Sequence, residues 1–154
     1  MRLTVIAVGK LKERFWREAA DEYLKRLGAY ATVRVHEVTD RDPARGEARA
    51  MAEEAADVLR ATPEGAHVIA LDLGGRQLSS ESFSARLDAL ALDGRSQVVF
   101  VIGGSTGLDA SVLARADERL SLGPMTLPHN LARVVLLEQI YRAFRISRGE
   151  PYHK

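Results

Sequence analysis

A chain of 154 residues, of which 46% are hydrophobic and 28% charged, is typical of one globular domain and excludes disordered, collagen-like and coiled-coil proteins. The absence of cysteine excludes disulfides, thiolate metal sites and a cysteine nucleophile, and it agrees with a reducing compartment. No segment approaches the roughly 20 apolar residues that cross a bilayer, so we predict no membrane span. We predict a cytoplasmic protein that forms one domain over residues 1–154.

Five short runs rich in β-branched residues predict strands. In chain order they are RLTVIAVG at 2–9, TVRVHEV at 32–38, HVIALDL at 67–73, QVVFVIGG at 97–104 and ERLSLG at 118–123. Segments within the third and fourth runs are apolar on both sides of the strand, as buried parallel strands are.

Helical patterns separate the strands. They cover Glu13 to Leu27, Pro43 to Ala61, a segment capped by Ser79 or Ser80 that runs to Leu90, a segment capped by Asp109 that runs to Ala116, and about Leu131 to Ser147. Because strand and helix alternate, the predicted architecture is an α/β fold, a mainly parallel sheet with helices on both faces.

The last helix differs from the others in apolar width and in charge. Its apolar residues cover more than the stripe of roughly 100° that a surface helix needs. We therefore predict that it buries a second face, either inside its own fold or against another subunit, and we favour a homodimer.

The overall net charge of +1 argues neither for nor against nucleic acid, but residues 130–154 hold five basic and two acidic side chains, so positive charge gathers at the end of the chain.

Strands three, four and five each run into a glycine-bearing loop: LDLGGRQLSS, VIGGSTGLD and LSLGPMTLPHN. In a parallel sheet these loops share the carboxyl edge, where open α/β sheets bind their ligands. A single Gly-Gly turn is more often only a turn. Three glycine-bearing loops in succession, however, favour a small-molecule site in which mostly main-chain groups bind the ligand. Neither a GxGxxG nor a Walker motif is present, which disfavours a dinucleotide site and a P-loop. Asp72 either contacts a ribose or closes its strand end, and we favour the second reading.

Three segments together carry a resemblance to a known family: VIGGSTGLD, LSLGPMTLPHNLARVVLLEQIYRAF and the terminal PYHK. Over its whole length the sequence resembles the bacterial family that methylates N3 of a pseudouridine in 23S ribosomal RNA, within the SPOUT class of S-adenosylmethionine-dependent methyltransferases. The resemblance implies a SPOUT-type α/β fold whose C-terminal part forms a trefoil knot. It also implies a homodimer with its sites near the subunit interface. Since the net charge is close to neutral, we expect the substrate to be the assembled ribosome or its large subunit rather than naked RNA.

The resemblance assigns residues to the site. The cofactor contacts that carry over are Leu71, Gly103, Leu122, Gly123, Pro124, Met125, Thr126 and Leu127. The residues expected to act on the acceptor are Arg142, Tyr152, His153 and Lys154. We expect these last three to fold over the cofactor pocket when RNA is bound, with His153 as the proton acceptor, Tyr152 on the base and Lys154 on phosphate.

Other polar and aromatic residues receive weaker assignments. His129 either contacts RNA or satisfies a helix terminus. Arg145 and Arg148 form, with Arg142, a stripe that solvation explains adequately, and Glu138 with Arg142 is an i,i+4 pair. His36 and His67 are predicted to be structural, and Phe15 and Trp16 to belong to the core.

Two other classes of protein remain as alternatives. One is a non-catalytic ribosome-binding module with a vestigial pocket. The other is a nucleotide-dependent oxidoreductase, which is disfavoured because AVGKLKERF, after the first strand, has a single glycine. No metal site is predicted, since four scattered histidines and no cysteine form no ligand cluster.

Overall fold

The structure, a computed structural model, describes residues 1–154. The strands are β1 Arg2–Val8, β2 Thr32–Val38, β3 His67–Gln77, β4 Gln97–Ile102 and β5 Glu118–Ser121. The helices are α1 Arg14–Leu27, α2 Glu47–Ala61, α3 Ser80–Leu92, α4 Ala110–Arg115 and α5 His129–Ser147, with a 3₁₀ turn at Pro43–Arg45. All ten predicted elements are present, in the predicted order.

The five strands form one sheet in the order β2-β1-β4-β3-β5, and every neighbouring pair is parallel. The predicted parallel α/β architecture is therefore confirmed. A parallel sheet places the carboxyl ends of all strands at one edge. The first glycine-bearing segment lies mostly in the carboxyl half of β3 and the other two follow β4 and β5, so the topology brings all three to that edge.

Apolar side chains cover both faces of the sheet. Alternate residues of β1 point to opposite sides: Leu3 and Val5 belong to one core cluster, and Ile6 and Val8 to the other. The first cluster takes in buried residues of α1, α3 and α5, and the second those of α2 and α4. Helices therefore cover both faces, as predicted.

Helix α5 packs against both α1 and α3. Leu136, Leu137 and Ile140 are completely buried there, and Phe144 packs against the same cluster. One part of the wide apolar surface is thus buried in its own fold, whereas Leu131, Val135 and Ile146 stay half-buried, so the helix by itself neither requires nor excludes a partner. The homodimer and the trefoil knot stay predictions, which the order of the strands does not test.

Strand β3 departs most from the prediction. Both Leu71 and Arg76 pair with Leu120 of β5, so residues 72–75 bulge out of the ladder and the strand then resumes. A Cβ on Gly75 would lie 2.8 Å from the backbone of Arg119 and Leu120, so only glycine fits there. The prediction that the third strand ends at residue 73 was therefore wrong, because β3 continues through most of LDLGGRQLSS to Gln77.

Two further expectations need correction. The helix predicted from Pro43 is broken at Gly46, whose φ of +113° divides the 3₁₀ turn from α2. Phe15 is largely exposed, although it was predicted to lie in the core, whereas its neighbour Trp16 does pack against the core. None of the helices has the length and apolar character needed to span a membrane.

Candidate active site

A cavity of about 750 Å³ opens at the carboxyl edge of the sheet, between the bulged part of β3 and the loops that follow β4 and β5. Most of the residues predicted to contact a cofactor line it: Leu71, Gly103, Leu122, Gly123, Met125, Thr126 and Leu127. His129 and Asp72 line it too, whereas Pro124 belongs to the same loop but not to the lining. The three loops that the sequence singles out therefore build one cavity.

The loop after β4 folds tightly on itself. The N–H of Gly107 donates to the carbonyl of Gly104 at 3.1 Å, and Gly107 has a φ of +82°. A Cβ on Gly103 would lie 2.7 Å from the carbonyl carbon of Gly107. This turn therefore requires glycine, and it presents main chain to the cavity.

The loop after β5 is fixed by a side chain of its own. The hydroxyl of Ser121 accepts from the N–H of Gly123 at 3.2 Å and makes a second contact, of 3.0 Å, with the carbonyl of Gly123. Gly123 has a φ of +130°, which favours glycine. The loop ends at Pro128, whose carbonyl accepts from Ala132 and so opens helix α5.

A buried arginine holds the start of α5 in place. The Nη1 atom of Arg133 lies 2.6 Å from a carboxylate oxygen of Glu37 at the end of β2, and Nη2 donates to the carbonyl of Gly9 at 2.9 Å. Arg133 thereby ties the cavity-lining end of α5 to the ends of β1 and β2. Sequence reasoning missed this role and counted Arg133 only as part of the basic C-terminal region.

The C-terminal tail, residues 150–154, lies against α5. The Tyr152 hydroxyl donates to Glu138 at 3.2 Å, and its ring meets the ring of Tyr141 edge-on at 5.0 Å. The Arg142 guanidinium covers the Tyr152 ring at 4.6 Å and also donates to Glu138 at 2.8 Å. Burial and the nearby Glu138 carboxylate raise the pKa of Tyr152, so its phenol is neutral at physiological pH.

His153 is held at both ring nitrogens. Its Nδ1 lies 3.0 Å from Nη1 of Arg142, and its Nε2 lies 2.6 Å from a carboxylate oxygen of Glu81 on α3. A guanidinium can only donate, so Nδ1 is the acceptor and Nε2 donates to Glu81. The imidazole then has no free lone pair. The hydrogen bonds of Glu81, with its own backbone first and with His153 second, lower the pKa of that carboxyl.

Arg145 anchors the backbone of the tail. It donates to the Pro151 carbonyl at 3.0 Å and pairs with Glu150, which also accepts from Tyr30 at 2.8 Å. The sequence interpretation gave Arg145 only a place in a solvated stripe. Lys154 is exposed at the end of the tail.

The predicted site residues therefore form two groups. His129 and the cofactor set apart from Pro124 line the cavity. Arg142 of α5 contacts Tyr152 and His153 of the tail, and none of these three lines it. The folding of the tail over the cavity concerns the RNA-bound state and stays a prediction. No group of three or more His, Asp or Glu side chains is arranged to hold a metal ion.

Solved structures share this fold. One described as a "probable methyltransferase" from Bordetella pertussis Tohama I has a TM-score of 0.60 at 20% identity, covering 92% of this chain and 95% of that one. Another, a "probable methylase family protein" from Haemophilus influenzae, has a TM-score of 0.59 at 16% identity, covering 99% of this chain and 70% of that one. The fold therefore places this chain in a class of α/β proteins that includes these two structures.

Sequence comparison names the family within that class. A family model described as "Predicted SPOUT methyltransferase" matches residues 1–153, so the chain belongs to the SPOUT methyltransferase family. It is 52% identical over 159 residues to the ribosomal RNA large subunit methyltransferase H of Listeria monocytogenes. It is 50% identical over 159 residues to the protein of the same name from Bacillus thuringiensis. Each comparison covers 100% of both chains.

Proposed function

We propose that this protein transfers a methyl group from S-adenosylmethionine to N3 of a pseudouridine in 23S ribosomal RNA. One observation carries the proposal: seven of the eight residues assigned to the cofactor by the family resemblance come from three separate segments of the chain and line a single cavity. The relatives that match over the full chain and are named for ribosomal RNA methylation support the choice of substrate.

The cavity fits this cofactor in its chemistry. Leu71, Ile102, Leu122 and Leu127 offer apolar surface to an adenine ring, and the turn at Gly103 brings main-chain groups within reach. When bound, S-adenosylmethionine supplies a methyl group already activated as a sulfonium. The protein therefore has to orient the two reactants and exclude water, which can supply about 7–11 kcal/mol of the barrier.

The proton on N3 of the acceptor is the second requirement. In this proposal His153 takes that proton, because an imidazole titrates near neutral pH. Since Arg142 and Glu81 occupy both ring nitrogens in the resting arrangement, His153 has to release Arg142 before its Nδ1 atom accepts a proton. The guanidinium of Arg142, once released from His153, is then available to bind phosphate, as is the ammonium group of Lys154.

The acceptor is expected to reach the site as part of the large ribosomal subunit. Non-specific affinity for RNA comes from many phosphate contacts, and a chain with a net charge of +1 has few cations in excess. We propose that a homodimer binds this ribosomal surface. The positively charged C-terminal region of each chain then lies near the bound RNA.

Mass spectrometry of ribosomal RNA nucleosides, from cells with and without the protein, tests the proposal. We expect N3-methylpseudouridine in 23S RNA only when the protein is present. Titration calorimetry with S-adenosylmethionine should show binding that S-adenosylhomocysteine competes. An unchanged nucleoside profile with no heat of binding would favour the non-catalytic ribosome-binding module.

A further inference from the structure

A second cavity, of about 240 Å³, adjoins the large one. Its walls come from the end of β3, the start of α3, the end of β5 and the middle of α5. Residues 120–123 line both cavities, so this short stretch of chain is a wall common to the two spaces. None of the cofactor assignments outside residues 122–123 belongs to this smaller space.

The lining of the small cavity combines amide, hydroxyl and apolar groups. Gln77, Ser80 and Gln139 contribute polar side chains, and Phe83 and Val135 contribute apolar ones. A uracil-type base has two carbonyl acceptors and ring N–H donors on a flat apolar body, so a cavity with this mixture suits it.

Gln139 has hydrogen-bonding capacity left. Its carbonyl oxygen accepts from the Ser80 hydroxyl at 2.7 Å, which fixes which end of the amide faces α3. Its Nε2 atom has only one long contact, 3.5 Å to Glu138 on the same helix. An amide nitrogen has two donors, so at least one is available to a carbonyl of a ligand.

The helices that line the small cavity also hold the docked tail. Ser80 of α3 lines the cavity, and the next residue, Glu81, binds His153. Gln139 of α5 lines it as well, and the preceding residue, Glu138, binds Tyr152 and Arg142. The cavity therefore shares residues 120–123 with the candidate cofactor space, and it shares helices α3 and α5 with the binding place of the tail.

We propose that the small cavity binds the acceptor base, a uracil-type base of ribosomal RNA, and that the Gln139 amide donates to one of its carbonyls. This inference rests on the proposed function. Methyl transfer needs reacting atoms about 3–3.5 Å apart, so the base has to occupy a space that adjoins the donor. The tail is held by α3 and α5, the two helices that line this cavity.

Nuclear magnetic resonance of side-chain amides tests the site directly. Pseudouridine nucleoside, titrated into ¹⁵N-labelled protein saturated with S-adenosylhomocysteine, should shift the Gln139 amide signals. Gln139→Leu keeps the side-chain size and should weaken nucleoside binding about tenfold, the effect of losing one buried hydrogen bond. Gln97→Leu, at the amino end of β4 and far from this edge, is the matched control and should bind normally. Shifts confined to the large cavity, or equal binding by the Gln139→Leu variant, would overturn the proposal.

Kinetics separate this inference from the proposed function. With large subunits as substrate, Gln139→Leu should raise KM for subunits or lower the rate about tenfold, while the Kd for S-adenosylmethionine stays that of the wild type. Ser80→Ala, which frees the Gln139 carbonyl, should give a smaller loss in the same direction. If the wild type methylates subunits and both variants match it, the base site is wrong and the function stands. If the wild type neither binds the cofactor nor methylates, the function itself fails.

Discussion

Glu54 shows how one residue in the core sets a pH dependence. It is only 4% exposed on α2, and its carboxylate accepts from the backbone N–H of Arg41 at 2.9 Å. Burial raises the pKa of Glu54, and the nearby Asp40 carboxyl adds to the rise, while the hydrogen bond from Arg41 opposes it. A pKa that is higher in the folded state contributes stability that is complete below the unfolded value, about 4.3, and is lost as the pH rises through the folded value.

We predict that Glu54→Gln raises the melting temperature at pH 7.5 and that this advantage disappears toward pH 4. The glutamine keeps an oxygen for Arg41 and carries no charge that burial would penalise. Differential scanning calorimetry over this pH range measures the effect. Glu64→Gln, at an exposed position in the loop before β3, is the control and should show no such pH dependence. A Glu54→Gln protein that melts below the wild type at pH 7.5 would contradict the prediction.

The candidate site was predictable from sequence only where main chain does the binding. Glycines at strand ends are local features, so the loops that contain Gly103 and Gly123 could be found without knowing any partner. Glu81 and Arg133 gave no local signal, because their partners His153 and Glu37 are 72 and 96 residues away in the chain. Such pairs become visible only when the order of the strands is known.

The C-terminal tail is the element whose removal best separates binding from chemistry. Tyr152 and His153 contact Glu138, Arg142 and Glu81, and none of these five residues lines the large cavity. Glu150, which pairs with Tyr30 and Arg145, precedes the segment to be removed.

We predict that deletion of residues 151–154 leaves the Kd for S-adenosylmethionine within about twofold of the wild type and abolishes methylation of large subunits, because the proton acceptor is lost. Calorimetry measures the first quantity and transfer of a labelled methyl group the second. The melting temperature of the shortened chain verifies that it folds. A truncated protein that methylates at the normal rate would show that the tail has no part in the reaction.

At the scale of the elements, the sequence predicted the presence and order of the strands better than the residues at which they end. β-branched runs located all five strands, because buried parallel strands need such residues on both faces. The second part of β3 was missed, since Gly74 and Gly75 read as a turn, whereas the bulge lets the chain rejoin β5 at Arg76. Whether a glycine pair ends a strand or only interrupts it depends on the neighbouring strand, which local sequence does not contain.

For the whole molecule, the exposed apolar side chains indicate where a dimer contact is to be sought besides α5. The large exposed apolar residues are Phe15, Leu73, Leu92 and Met125. Leu73, 62% exposed, and Met125, 82% exposed, both line the large cavity, so they form an apolar mouth around it. Leu92, 88% exposed, lies apart from them at the end of α3.

We predict that the mouth of the cavity lies at or beside the subunit contact, as the family resemblance implies. Light scattering at micromolar concentration should give the wild type about twice the mass of the 16.9 kDa chain, and the double variant Leu73→Glu, Met125→Glu should shift toward the monomer. Two carboxylates buried without partners oppose association. Leu92→Glu introduces one such carboxylate on a similarly apolar, exposed side chain and should remain dimeric, and each single variant, Leu73→Glu or Met125→Glu, should shift further toward the monomer than Leu92→Glu does. A monomeric wild type would remove the dimer from the proposal, and a double variant as dimeric as Leu92→Glu would place the contact on another face, away from the loops that line the large cavity.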